Sequence, residues 1–213
     1  MTGQRDPGPD RSASHRTSWA VLVHRDLRRY LAGNVCSNIG TWLQNTAQIL
    51  LAYQLTRSAA GVGLVTGAQF VSPLVLGPWA GVLADRLDRR RLLVVTHVVS
   101  AAIAAVMATL QLSGRLTLPL LVAGALAIGT AFTFTLPTLT AFVPTLVPEK
   151  DTQAAIKLNT VSFNVGRALA PILGVGVITL VGFAWAFALN AVSFLVLAGV
   201  LLPAARAGSV TGA

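Results

Sequence analysis

Long stretches without a charged side chain constrain this chain more than any other feature of its sequence. Asp, Glu, Lys and Arg are all missing from five windows, 30–56, 58–84, 92–114, 116–148 and 168–205. A helix needs roughly 20 mostly apolar residues to cross the ~30 Å hydrocarbon core of a bilayer, and every window is long enough. Because 54% of all residues are hydrophobic and only 11% are charged, the chain is predicted to be an all-α membrane protein.

The windows predict six membrane-spanning helices. The first three give one span each, and the fourth gives one span that leaves the membrane before Pro148. The remaining apolar stretch is long enough for two helices, which we expect to break near Gly182. The predicted spans are 31–55, 59–84, 92–112, 118–144, 154–181 and 183–203.

The two ends of the chain differ in composition from its middle. Residues 1–18 are polar and rich in Pro, Gly and Ser, which predicts a disordered cytoplasmic tail. Residues 19–29 mix apolar residues at near-helical spacing with arginines, which predicts an amphipathic segment at the membrane interface. The six-helix domain would then cover 30–204, and 205–213 would form a second cytoplasmic tail.

The positions of the basic residues predict an orientation, because cytoplasmic flanks of membrane helices carry an excess of Lys and Arg. With the N-terminus inside, thirteen of the 16 Lys and Arg residues lie on the cytoplasmic side. Arg57 and Arg115 lie outside, and Arg167 falls within a span. Both termini are therefore predicted to be cytoplasmic. Since this topology accounts for the pI of about 11.5, no nucleic-acid partner is predicted.

Polar side chains form a row along the first predicted span. They recur every three or four residues from Asn34 to Gln48, which confines them to one side of a helix. Arg167 lies in a similar row near the middle of the fifth span, where contact with lipid would cost a few kcal/mol. Such groups must meet water or polar partners, so we expect a substrate cavity. The predicted cavity residues are Asn34, Asn38, Thr41, Asn45, Gln48, Gln69, Asn164 and Arg167.

The segment GVLADRLDRRR, residues 81–91, joins the second and third predicted spans. It resembles the loop signature of the major facilitator superfamily, although Asp88 stands where that superfamily usually has glycine. The resemblance implies a cytoplasmic latch, in which the aspartate and arginines bond across the two halves of an outward-facing carrier. The latch residues that it implies are Gly81, Asp85, Arg86, Arg89, Arg90 and Arg91.

Further segments narrow this resemblance. RRYLAGNVCSNIGTWLQNTAQ, LVTGAQFVSPLVLGPWAGVLADRLDRRR and NVGRALAP are similar to the enterobactin-exporter-like branch, also called transmembrane secretion effectors. Gly166, Pro171 and Gly174 partly match the antiporter motif of proton-driven exporters, from which Ala170 and Val175 depart. The resemblance implies a transporter of the bacterial inner membrane. It would export a small amphiphilic molecule, such as a siderophore or a drug, by alternating access and without a cofactor.

Carriers of that superfamily have twelve helices in two halves, each a 3+3 inverted repeat whose first, second, fourth and fifth helices line the path. The six spans predicted here are equivalent to the N-terminal half. We expect the chain to be a fragment or truncated product of a longer carrier, with a C-terminal six-helix half as its partner; a half that acts with a second copy in the same orientation is an alternative. The alternative is a truncated membrane protein that does not transport.

A membrane-embedded enzyme is a further alternative class. It would need a catalytic set at membrane depth, and the spans contain no paired carboxylates, His cluster or Gly-rich phosphate loop. All 7 acidic residues lie in the tail or in predicted cytoplasmic segments, so no acid is available for proton coupling inside the membrane. His97, in the third span, is interpreted as a packing residue rather than a proton carrier. We predict no enzymatic activity and no bound metal.

Overall fold

The structure is a computed structural model that describes residues 18–202. The predicted tail 205–213, and all of the predicted tail 1–18 except Ser18, lie outside the described residues. Six helices dominate: α1 Arg25–Thr56, α2 Ala59–Arg86, α3 Arg89–Leu112, α4 Leu118–Phe142, α5 Thr152–Val181 and α6 Phe183–Leu201. Short 3-10 helices cover Ser18–Val23, Val143–Leu146 and Glu149–Asp151. The part of the chain that the structure describes contains no strand.

Within residues 18–202, five helical segments are long and apolar enough to cross a membrane, judged by length and composition. They are α2, α3, α6 and the two segments Leu118–Leu146 and Glu149–Val181. The sequence predicted six spans, and α1 is the helix that does not qualify. Its 32 residues extend about 48 Å at ~1.5 Å per residue, so length is not what excludes it. The reason is its row of amide and hydroxyl side chains, which lowers its hydropathy.

The connections between helices are short, and residues suited to tight turns occupy them. Arg57 follows α1 in a left-handed conformation with φ 51°. Asp88 caps α3, where its Oδ1 accepts a 2.7 Å hydrogen bond from the backbone N–H of Arg91. Gly182 separates α5 from α6 with φ 94°, a conformation that glycine adopts without steric strain. These turns bring consecutive helices back across the bundle.

The helices pack so that two apolar clusters fill the two ends of the bundle. One cluster surrounds Tyr30 and Phe142, near the beginning of α1 and the end of α4. The other surrounds Leu51 and Phe187, near the end of α1 and the beginning of α6. Between the clusters, α1 packs mainly against α5 and α6, while α4 packs mainly against α2 and α3. The polar residues of α1 therefore lie in the middle layer of the bundle.

Glycine permits the closest helix crossings. A Cβ added at Gly166 of α5 would lie 2.9 Å from the Cβ of Asn38, and one at Gly129 of α4 would collide with the carbonyl oxygen of Gln69. Nothing lies within 4 Å of a Cβ added at Gly77 or Gly81. Gly77 and Gly81, one helical turn apart, therefore form a small-residue face of α2 that no other described helix contacts.

Replacing Gly166 with alanine should loosen the crossing of α1 and α5. The added methyl group must displace Asn38, and overpacking of this kind costs about 1–3 kcal/mol. We expect Gly166→Ala to lower the midpoint of thermal unfolding in detergent. The matched control is Gly176→Ala on the same helix, where a Cβ meets nothing within 4 Å. An equal loss of stability in both variants would contradict the close crossing.

Candidate functional site

A partly open cavity of about 480 Å³ lies among the helices of the bundle. All six helices contribute to its wall. The predicted cavity residues that line it are Asn34, Asn38, Thr41, Asn45, Gln69 and Arg167. The other described residues of the lining are Ser37, Trp42, Phe70, Pro73, His97, Ser100, Ile128, Gly129, Phe132, Thr135, Leu136, Leu139, Phe163 and Phe194.

Side-chain hydrogen bonds join α1 to α5 at the end of the cavity nearest Tyr30. Asn34 donates through Nδ2 to Asn159 Oδ1 at 2.9 Å and to Ser162 Oγ at 3.2 Å. Tyr30 also donates to Asn159 Oδ1, at 2.9 Å, and Asn38 donates to Ser162 Oγ at 3.2 Å. Sequence reasoning missed Asn159 and Ser162, although their three-residue spacing places them on one side of α5. They fix the polar row of α1 in position.

Two predicted cavity residues are not part of the lining. Gln48 is buried, and its Nε2 has no hydrogen-bond partner in the described part of the chain. Asn164 is exposed and donates to the carbonyl oxygen of Thr160 on its own helix, at 2.9 Å. Of the two predicted cavity residues on α5, Arg167 therefore reaches the cavity and Asn164 does not.

Arg167 lies at the midpoint of α5 and supplies the fixed charge of the cavity. The carbon at the centre of its guanidinium is 5.3 Å from the ring centre of Trp42, within range of a cation–π interaction. The ring of Phe163 packs edge-on against Trp42, with 5.7 Å between ring centres. Within residues 18–202, Arg167 makes no ion pair and none of the lining residues is acidic.

α3 and α6 also line the cavity, which the resemblance had assigned to the other four helices. They contribute His97, Ser100 and Phe194. His97 is buried, its Nδ1 lies 2.7 Å from the carbonyl oxygen of Leu93, and its ring packs edge-on against Phe194 at 5.8 Å. These contacts agree with a packing histidine, and they also place the imidazole at the cavity wall.

A buried amide pair joins α1 to α6 beside the cavity. Asn190 donates to Gln44 Oε1 at 2.8 Å and accepts from Ser193 Oγ at 2.9 Å. Gln44 Nε2 lies 3.9 Å from the sulfur of Met107. The sequence of α6 is nearly all apolar, and Asn190 is its one amide side chain. That isolated asparagine was the signal that could have revealed the pair.

The charged hairpin between α2 and α3 is attached to α4 by one bond. Arg89 donates through Nη1 to the carbonyl oxygen of Ala141 at 3.1 Å. Asp85 is exposed and makes neither a hydrogen bond nor an ion pair with any described residue. Asp88, which departs from the resemblance, is the cap of α3 described above. Arg90 is half-buried, and the exposed arginines among the latch candidates are Arg86 and Arg91.

The three antiporter-like residues lie on two sides of α5. Gly166 and Gly174 face α1, where a Cβ at Gly174 would lie 3.3 Å from the Cβ of Thr46. Pro171 is exposed. The two glycines therefore let α5 approach α1 closely, which is a packing role.

The amide pair gives a prediction about stability. Asn190→Leu removes the donor to Gln44 Oε1, and a buried acceptor left without a partner costs about 1–3 kcal/mol. We expect this variant to lower the thermal midpoint in detergent, and Gln44→Leu to do the same. The double variant should be more stable than the sum of the two losses implies, because neither amide then remains unpaired. Additive losses would contradict the pairing.

Comparisons with known proteins agree with this architecture. The profile of the family described as transmembrane secretion effector matches residues 16–210. An uncharacterized MFS-type transporter, YfiS of Bacillus subtilis (strain 168), is 28% identical over 178 residues, which cover 83% of this chain and 42% of that protein. Macrolide efflux protein A of Streptococcus pyogenes is 30% identical over 148 residues, which cover 67% of this chain and 36% of that protein.

The chain thus spans less than half the length of these curated relatives. No solved structure gives a significant match. The family match covers nearly all of the described helices and confirms the resemblance that the charged loop indicated. The chain therefore belongs to the transmembrane secretion effector family of major facilitator superfamily transporters.

Proposed function

We propose that this chain is a six-helix unit of an exporter that moves a small amphiphilic molecule out of the bacterial cytoplasm by alternating access. The cavity is the observation that carries the proposal. Its wall combines amide side chains and one arginine with aromatic rings, among them Phe70, Phe132 and Phe163. Such a wall suits a ligand that has both a polar group and an apolar body. The enterobactin-exporter-like branch is part of this proposal.

Helix packing supports a 3+3 inverted repeat, which would relate α1, α2 and α3 to α4, α5 and α6. The repeat pairs α1 with α4, α2 with α5 and α3 with α6. The crossing of α1 and α5 then corresponds to the crossing of α4 and α2. The contact between α1 and α6 corresponds to the contact between α4 and α3. All four pairs are extensive contacts. Gly166 against Asn38 and Gly129 against Gln69 provide a close approach in each of the first two pairs.

We propose α1 as the sixth span, with both termini in the cytoplasm of a bacterial inner membrane. Packing against α5 and α6 turns much of its polar row towards the cavity rather than towards lipid. The basic residues at the start of α1 and in the α2–α3 hairpin would then lie together on the inner side, as the excess of positive charge on cytoplasmic flanks requires.

One side of the bundle is open, and we propose that a second six-helix unit covers it. α2 and α5 expose large apolar side chains there, including Phe70, Leu74 and Ile172. Arg167 is exposed as well, and lipid would leave its guanidinium without a partner. The relatives are more than twice as long as the matched segment. A C-terminal half fits this length, and a second copy in the same orientation is the alternative.

The α2–α3 hairpin would be the cytoplasmic latch between the two units. Arg89 holds the hairpin against the end of α4 through the carbonyl group of Ala141. Asp85, exposed at the end of α2, is free to bond to a donor of the other unit. The open small-residue face at Gly77 and Gly81 would let that unit approach α2 closely.

A flux assay tests this function. Proteoliposomes would contain the chain, alone or with a supplied C-terminal half of a relative. Uptake of dansylglycine, dansylamide and dansylcadaverine would follow an imposed ion gradient. We expect gradient-dependent movement of at least one probe when both units are present. Asp85→Asn should lower that flux about tenfold, because a charge-assisted hydrogen bond contributes ~1.5–3 kcal/mol.

Glu149→Gln is the matched control, since Glu149 is an exposed carboxylate outside the hairpin. It should leave the flux unchanged, and both variants should insert into the membrane normally. Unaltered flux in Asp85→Asn would remove the latch from the proposal. Absence of movement for all three probes, with and without a second unit, would favour a membrane protein that does not transport.

A further inference from the structure

We propose that the cavity selects anionic amphiphiles and that Arg167 binds their negative group. This inference rests on the proposed transport function and names the charge class of its substrate. A carboxylate, sulfonate or phosphate would lie on the guanidinium, and the apolar body of the molecule would lie among the aromatic rings of the wall.

The charge of the wall is the first argument. Among the described lining residues, the basic side chains are those of Arg167 and His97, and none of these residues is acidic. The acidic residues of the described chain lie elsewhere: Asp26 at the start of α1, Asp85 and Asp88 at the hairpin, and Glu149 and Asp151 just before α5. A permanent positive charge without an acid attracts an anion into a site of low dielectric constant and repels a cation.

The contacts of Arg167 are the second argument. Trp42 lies 5.3 Å from the centre of the guanidinium and covers it with an aromatic face. A guanidinium carries five N–H donors in its plane, and the side chain of Arg167 donates to no acceptor within the described helices. Two oxygens of one anionic group can accept hydrogen bonds from two of these N–H donors at once, which is the strongest hydrogen-bonding geometry that arginine offers.

Further donors lie on the same wall. Asn45 and Gln69 line the cavity, and their side chains make no hydrogen bond to any other described residue. Asn45 follows Trp42 by one helical turn on α1, so it lies on the side of α1 from which Trp42 reaches Arg167. The amides of Asn34 and Asn38 are already occupied by Asn159 and Ser162. Asn45 and Gln69 therefore add free amide groups to the wall of the cavity that Arg167 lines.

Most of the remaining wall is apolar and suits the body of an amphiphile. Phe70, Phe132 and Phe163 supply rings from three different helices, and Pro73 and Leu136 extend the surface. A ligand of about 480 Å³ or less fits the cavity. Apolar burial would supply affinity, while the guanidinium and the two free amides would select for charge.

A binding experiment with three matched probes tests the inference. The full chain would be placed in phosphatidylcholine nanodiscs, and energy transfer from tryptophan to the dansyl group would report binding. Empty nanodiscs would be subtracted. We expect dansylglycine, an anion, to bind more tightly than neutral dansylamide, and cationic dansylcadaverine to bind most weakly. Arg167→Gln should reduce the preference for dansylglycine over dansylamide about tenfold or more.

Two variants complete the design. Arg167→Lys keeps the charge and should keep most of the preference for the anion. Arg115→Gln removes an exposed arginine of the α3–α4 connection, and it should behave as the unchanged chain does. If Arg115→Gln reduces the preference for dansylglycine as much as Arg167→Gln does, the loss is a general effect of positive charge. That result would overturn the assignment of the anion site to Arg167.

The outcomes separate this inference from the proposed function. If the probes bind but Arg167→Gln leaves the ratio of anion to neutral affinity unchanged, the anion site is wrong and the transport cavity stands. If no probe binds to any form of the chain, the anion site is wrong, and the flux assay with both units decides the proposed function separately.

Discussion

A polar side chain inside a membrane protein must be hydrogen-bonded or must reach water, and the whole structure follows from this constraint. The chain satisfies it in two ways. Gln44 and Asn190 bond to each other between α1 and α6, while Asn34 and Asn38 bond to α5. Thr41 and Asn45 of the row on α1 border the cavity, whereas Gln48 is buried and its Nε2 has no partner among the described residues. Apolar clusters lie towards both ends of the bundle, and the polar layer lies between them.

On α5, the residues that pack against α1 differ from the residue that lines the cavity. Gly166 and Gly174 face α1 and allow close contact, whereas Arg167 turns to the cavity between them. Trp42 stabilises the guanidinium through its ring without neutralising its charge. An arginine held in this way is still able to bind an anion. Arg167, near the middle of α5, therefore fits a role in transport better than a role in packing alone.

Sequence reasoning could predict the elements whose pattern is local. Apolar windows predicted the helices, and the spacing of Asn34, Asn38, Thr41 and Asn45 predicted one wall of the cavity. It could not predict which side of α5 meets α1, because that depends on the close approach at Gly166 rather than on polarity. The polar row of α5 therefore lies largely on the exposed side, and Asn159 and Ser162 make the contacts instead. His97 and Phe194 were missed as wall residues because their helices are mostly apolar.

Whether water reaches the middle of α1 decides if its polar row borders a wet cavity or lipid. A spin label would be attached at Asn45→Cys, and separately at Val192→Cys on the exposed face of α6, after the native exposed Cys36 is replaced by serine. In nanodiscs, a water-soluble nickel chelate should relax the label at residue 45 strongly, while dissolved oxygen should dominate at residue 192. If both labels respond to oxygen and neither responds to the nickel chelate, the polar row borders lipid and the account is contradicted.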